Sequence, residues 1–145
     1  MKKIAETPEA KPYKEIHDKN ITRFSTADAI FSGTAPDDVK KGYFDASTAL
    51  WVSIKAFIGE TLPAAIKGTG PFIGGEIPGS DDFHVGAWIS RIALVLGAQK
   101  SDEGIAALEK TLGPLPEKTK AYWSAWTERA SWESAFPGGN LLRTT

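Results

Sequence analysis

The sequence contains no cysteine, one methionine and only two histidines, His17 and His84. The absence of cysteine excludes disulfides, zinc–thiolate sites, iron–sulfur clusters and thiol catalysis. The sequence also has no large excess of positive or negative charge, because it contains 17 basic and 18 acidic residues and its formal net charge is −1. A balanced composition of this kind argues against electrostatic binding to nucleic acid or to anionic lipid. We therefore expect neither nucleic acid nor a membrane as a partner.

Long apolar runs are missing as well. The most apolar stretch, residues 83–96, is fourteen residues long, which is too short to span a bilayer. Residues 1–15 lack the apolar core of a signal peptide. Together these features predict a cytoplasmic protein.

Apolar residues recur at helical spacing, and no segment alternates with a period of two, so the predicted fold class is all-α. A first helix is expected over residues 12–32, with Phe24 and Ala27 on its apolar stripe. A second helix begins near Pro36, and its stripe includes Tyr43, Ala46 and Leu50. Trp51 and Val52 widen the apolar face of the second helix, so we expect this helix to be contacted on more than one side.

Glycine and proline mark the remaining boundaries. The second helix is expected to end at Gly59 and Pro63, with a ragged last turn to about residue 66. Later helices are predicted over residues 80–96, 101–112, 116–130 and 131–136. The result is a bundle of five to six helices: a flexible lead-in at residues 1–11, one helical domain at 12–136 and a tail at 137–145.

The central stretch of the chain is a glycine-rich turn followed by a strong helix start. Gly79 or Ser80 can cap the helix, and Asp82 lies three residues after Gly79, where its carboxylate can reach back to the cap's backbone N–H. Residues 83–96 are apolar on nearly every side. A helix of this type is expected to be buried in the middle of the bundle.

Two segments carry a family resemblance. The first joins the turn Gly70-Pro71-Phe72-Ile73-Gly74-Gly75 to the helix start Gly79-Ser80-Asp81-Asp82-Phe83. The second is the aromatic helix Tyr122-Trp123-Ser124-Ala125-Trp126, which runs into Arg129-Ala130-Ser131-Trp132. Two long helices precede the first segment, and a shorter helix lies between the two segments. In this order the parts resemble the C-terminal helical domain of soluble glutathione transferases, particularly the fungal ones. The resemblance covers residues 12–136 and implies that Gly79, Ser80 and Asp82 form a structural cap.

Glutathione transferases have a second domain that the resemblance does not cover. Transferases carry a thioredoxin-like domain before the helical one, and that domain holds most of the glutathione site and the residue that activates the thiol. No strand-rich segment precedes residue 12 here. We therefore expect no catalytic residue and no cofactor, with glutathione relevant only if such a domain is supplied elsewhere.

The resemblance suggests one apolar site. In the family, an electrophile pocket is walled by the start of the first helix and by the late aromatic helix. By position, Tyr13, Ile16 and His17 would form one wall, with Trp123 and Trp126 opposite. The alternative is that both tryptophans fill the core, and large aromatics at helical spacing usually do.

The sequence gives little support for a metal site or a phosphate-binding loop. Asp81, Asp82 and His84 resemble a metal cluster, but adjacent acids at a helix start are more often a cap, so we expect no metal site. The glycines of residues 68–75 lack the Lys-Ser/Thr that a phosphate-binding loop requires.

Three functions remain. The leading hypothesis is a stand-alone, non-catalytic module that binds an apolar small molecule or a protein partner, with a homodimer as one form of the latter. The alternative is the helical half of a glutathione transferase that conjugates glutathione to electrophiles. The third is a scaffold domain.

Overall fold

The computed structural model describes residues 11–141, and for residues 11–13 and 15–17 it describes the backbone alone. The chain divides into two compact units, residues 1–50 and 51–145. The helices are α1 (Lys11–Phe31), α2 (Asp37–Ala56), α3 (Leu62–Ala65), α4 (Ser80–Val95), α5 (Gly104–Leu112), α6 (Glu117–Thr127) and α7 (Ala130–Ala135). Short 3₁₀ turns lie at Ser101–Glu103 and Pro137–Gly139. Over the described range there is no strand, only two isolated bridges, so the all-α prediction is confirmed.

The first unit is a helical hairpin. The turn between α1 and α2 contains Gly33 with a φ of +78°, which ends α1 in the left-handed conformation that glycine tolerates. The backbone N–H groups of Thr34 and Ala35 both donate to the carbonyl of Ala29, which ties the turn to the last helical turn of α1. Asp37 and Asp38 follow in the first turn of α2, where the helix dipole favours negative charge.

Few apolar residues of the hairpin are buried. Within residues 18–50, the buried apolar side chains are those of Ile30 and Ala35, and α2 buries none of its residues. The expectation that the second helix is contacted on more than one side is therefore wrong for residues 37–50. The stripes align apolar residues on one face, but within the described part of the first unit little packs onto that face.

The second unit begins within α2 and continues through an irregular turn. A π-helical segment, Phe57–Thr61, links α2 to α3, and the backbone N–H of Leu62 donates to the carbonyl of Phe57, five residues back. Pro63 follows, and it has no N–H with which to continue the ladder of α-helical hydrogen bonds. The helix thus widens next to Pro63 and ends at Ala65, as the predicted ragged last turn suggests.

The core of the second unit is apolar and aromatic. Its buried residues are Ile58, Leu62, Ile66, Phe72, Ile89, Ile92, Ala93, Ala98, Leu108, Leu112, Leu115, Tyr122, Trp123, Trp126, Trp132 and Leu141. They extend from the π-helical segment before α3 to Leu141 after α7, so burial of this surface is the main force that holds the unit together.

The central helix α4 is buried on one side only. Ile89 and Ala93 face the core, whereas Phe83, Trp88 and Val95 are exposed. The prediction of a helix buried on every side is therefore wrong. Within the second unit, α5 packs along one face of α4, α6 contacts its start and the ring of Phe57 lies against Trp88, and much of the remaining surface of the helix is exposed.

The packed structure extends past the predicted domain end at residue 136. The backbone N–H of Leu141 donates to the carbonyl of Gln99 at 2.9 Å, and Leu141 is buried. Ser101 Oγ donates to the carbonyl of Gly139 at 3.0 Å. The first part of the predicted tail therefore belongs to the fold, while residues 142–145 and the predicted lead-in up to residue 10 lie outside the described residues.

Among residues 11–141, no helix is both long enough and apolar enough to cross a membrane.

Candidate functional site

The start of α4 is held by one buried carboxylate. Asp82 is completely buried, and its Oδ1 accepts the backbone N–H of Ile73 at 2.8 Å. Its Oδ2 accepts the backbone N–H groups of Gly74 and Gly79, each at 2.9 Å. The contact with Gly79 is the reach-back that the sequence predicts. All three hydrogen bonds tie the glycine-rich turn to the helix, so the carboxylate serves structure.

Gly79 is the N-cap of α4. Its backbone carbonyl accepts the N–H of Asp82 at 3.2 Å, which is the capping contact available to a residue without a side chain. Ser80, the other candidate, is the first helical residue and is exposed. Gly74 is required for a separate reason, since a Cβ there would lie 2.6 Å from the backbone nitrogen of Gly79.

Trp123 lies in the core of the second unit. Its indole N–H donates to the carbonyl of Ser101 at 2.9 Å, and the indole N–H of Trp132 donates to Ser101 Oγ at the same distance. The ring also fills the space beside Gly104, where a Cβ would collide with it. Trp123 is therefore a packing residue that fixes the start of α5.

Trp126, near the end of α6, is also buried and packs against α4. A Cβ on Gly86 would lie 2.8 Å from its ring, and the guanidinium of Arg129 lies 5.7 Å from the ring centroid. Its indole nitrogen has no hydrogen-bond partner among the described residues. Burial raises the pKa of the neighbouring Tyr122 hydroxyl, which donates to the carbonyl of Asp82. Trp123 and Trp126 thus both lie in the core, which is the alternative to a position in the wall of a pocket.

The other half of the predicted wall stays a prediction. Tyr13, Ile16 and His17 lie within the backbone range of α1, but their side chains are outside the described residues. Asp81 and His84 are exposed, and the described residues contain no group of three or more metal-ligating side chains.

A groove that the sequence does not predict lies in the first unit. We call it the α1–α2 groove, and its volume is about 570 Å³. It is lined by Asn20, Arg23, Phe24, Thr26 and Ala27 from α1 and by Tyr43, Ala46, Ser47 and Leu50 from α2.

The chemistry of this groove is amphipathic. Phe24 is 74% exposed and Leu50 is 59% exposed, so large apolar surfaces face the groove and its surroundings. Arg23 is the one charged residue in the lining. The apolar stripes of the two helices contain most of these residues, but the sequence does not show that no other described residue of the first unit fills the space between them.

Comparison of the chain with protein-family models, with curated proteins and with solved structures finds no match in any of the three.

Proposed function

We propose that this chain is a non-catalytic helical binding module that holds an apolar small molecule in the α1–α2 groove. The groove carries the proposal. Its volume of about 570 Å³ lies in the range of roughly 300–1,000 Å³ typical of small-molecule sites, and aromatic and aliphatic side chains form much of its lining. Exposed Phe24 and Leu50 would gain most from a bound apolar body, because burial removes their surfaces from water.

The proposal is tested with the neutral dye N-phenyl-1-naphthylamine, whose fluorescence rises in apolar surroundings. We expect saturable binding by the full chain. Ala46→Trp places a large ring in the groove and should weaken dye binding at least about tenfold, which is about 1.4 kcal/mol. The matched control is Thr48→Trp, since Thr48 is exposed on the same helix but does not line the groove.

Two results of the dye experiment would contradict the proposal. An absence of dye binding by the unmodified chain would overturn the proposal. Equal binding by both tryptophan variants and the unmodified chain would show that the dye binds elsewhere, and would overturn the assignment to the groove.

The same exposed surface suits a protein partner, including a second copy of this chain. Soluble monomers seldom leave large apolar patches uncovered. If light scattering shows a stable dimer and the dye does not bind, the interaction form of the module replaces the ligand form. A scaffold role requires an exposed apolar patch but no ligand pocket, so it also predicts that the dye does not bind. A cytoplasmic location is part of this proposal, and the absence of cysteine from the sequence is what supports it.

A second candidate is the helical half of a glutathione transferase-like protein. The buried Asp82, its contact with Gly79 and the aromatic packing of α6 support it, because the sequence resemblance gives these residues the same structural roles. Conjugation to electrophiles would then require a thioredoxin-like domain on another chain. Titration of glutathione into this chain tests the idea: measurable binding favours it over the non-catalytic module, and no binding at millimolar glutathione leaves the module as the better proposal.

A further inference from the structure

The α1–α2 groove contains one cation, and no described residue serves as its counter-ion. Arg23 lines the groove and forms no ion pair within the described part of the chain. Three lysines of the same hairpin behave differently, since each pairs with an aspartate on its own helix: Lys14 with Asp18, Lys40 with Asp37 and Lys41 with Asp45. The arginine therefore has its charge available at the groove.

A second polar donor lies beside this arginine. Asn20 precedes Arg23 by three residues on α1, which places the two side chains one above the other on the same face of the helix. Both line the groove, and no acidic residue does. The guanidinium presents parallel N–H groups that match a carboxylate, and the amide of Asn20 adds an N–H₂ donor.

The rest of the lining is suited to a hydrocarbon body. Phe24 and Ala27 continue from Arg23 along α1, while Tyr43, Ala46 and Leu50 line the groove from α2. An occupant that satisfies both parts of the groove is apolar over most of its length and carries one anionic group.

We propose that the α1–α2 groove binds amphipathic monocarboxylates, with Arg23 and Asn20 holding the carboxylate and Phe24, Tyr43 and Leu50 contacting the apolar body. This inference rests on the proposed function and adds the chemical class of the ligand. The charge contribution is expected to be moderate, because Arg23 is exposed and water screens an exposed ion pair.

The test uses decanoate and decan-1-ol as competitors of N-phenyl-1-naphthylamine at neutral pH and low salt. The two have the same carbon chain and differ in the carboxylate. We expect decanoate to displace the dye about five- to tenfold more effectively than decanol, the size of effect that a partly solvated charge-assisted hydrogen bond provides. The preference should shrink as sodium chloride is added.

The decisive variant is Arg23→Gln, which should lose the preference for decanoate over decanol as a competitor of the dye. Lys110→Gln is the matched control, because it makes the same charge change at an exposed lysine of α5. Equal displacement by decanoate and decanol, or a preference that survives Arg23→Gln, would overturn the ligand class while leaving the groove intact. Failure of the dye to bind at all would overturn the proposed function as well.

Discussion

The hydroxyl of Tyr122 donates a hydrogen bond to the backbone carbonyl of Asp82 at 3.0 Å, and both residues are buried. This contact joins α6 to the first turn of α4. The carboxylate of Asp82 holds the glycine-rich turn at the same time. One residue thus connects three parts of the second unit, through its side chain on one side and its carbonyl on the other.

Replacing Tyr122 by phenylalanine removes this hydroxyl and keeps the ring. We expect the free energy of unfolding of the second unit to fall by about 1 kcal/mol, the net value of a typical buried hydrogen bond. Urea unfolding followed by tryptophan fluorescence measures this, since all five tryptophans lie in residues 51–145. An unchanged midpoint would mean that the hydroxyl contributes nothing to the packing of α6.

Substitution of Asp82 should have a larger effect. In Asp82→Asn, an amide N–H₂ replaces one oxygen that accepts backbone N–H groups, so at least one buried donor loses its acceptor. We expect a loss of about 3 kcal/mol, because unsatisfied buried donors and lost charge-assisted bonds are both costly. Asp81→Asn is the control, since Asp81 is exposed in the same turn, and it should change stability by less than about 1 kcal/mol. Similar losses in both variants would argue against the network.

Close packing at Gly86 gives a third prediction. A Cβ at this position would lie 2.8 Å from the ring of Trp126, so Gly86→Ala must displace a buried indole. We expect destabilisation by about 1–3 kcal/mol, despite the higher helix propensity of alanine. Gly59→Ala serves for comparison, because a Cβ there would meet no atom within 4 Å. If Gly86→Ala proves as stable as the unmodified chain, Trp126 is not packed on this face of α4.

The stability of the second unit should depend on pH through Glu103. Hydrogen bonds from the backbone N–H groups of Gln99 and Lys100 hold the pKa of this carboxyl below its usual value. A carboxyl with a lowered folded-state pKa stabilises the fold above its unfolded-state pKa, which is about 4.3, and this contribution disappears as the pH falls through the folded-state pKa.

Thermal unfolding between pH 3 and pH 7, roughly the window in which carboxyls titrate, tests this dependence. Glu103→Gln should lower the melting temperature near neutral pH and should lessen its decline on acidification. Glu128→Gln, at the exposed C-cap residue that follows α6, should leave both almost unchanged. An identical acid profile for Glu103→Gln and the unmodified chain would contradict the role of Glu103.

Much of the helical order follows from local sequence. Gly33, Pro36 and Gly113 lie between helices where their backbone preferences predict boundaries, and the first predicted helix, 12–32, differs from α1 by one residue at each end. The contact of Asp82 with Gly79 was also predictable, because it spans three residues. These features depend on interactions within one or two turns of the chain.

The features that were not predictable depend on what covers a helix. Periodicity shows that Tyr43 and Leu50 share a face of α2, but it does not show whether another element packs there. The same limit applies to α4, whose apolar Phe83 and Val95 are exposed. The partner of Trp123 was equally hidden, since its hydrogen bond reaches Ser101, 22 residues away.

Mapping the dye on the chain by ¹H–¹⁵N correlation spectroscopy tests the α1–α2 groove most directly. During a titration with N-phenyl-1-naphthylamine, we predict that the amide signals of α1 and α2 around Ala27, Tyr43 and Ser47 shift and saturate, while those of α5 and α6 stay in place. Shifts concentrated in α4 to α6, or no shifts at saturating dye, would contradict a ligand site in the first unit.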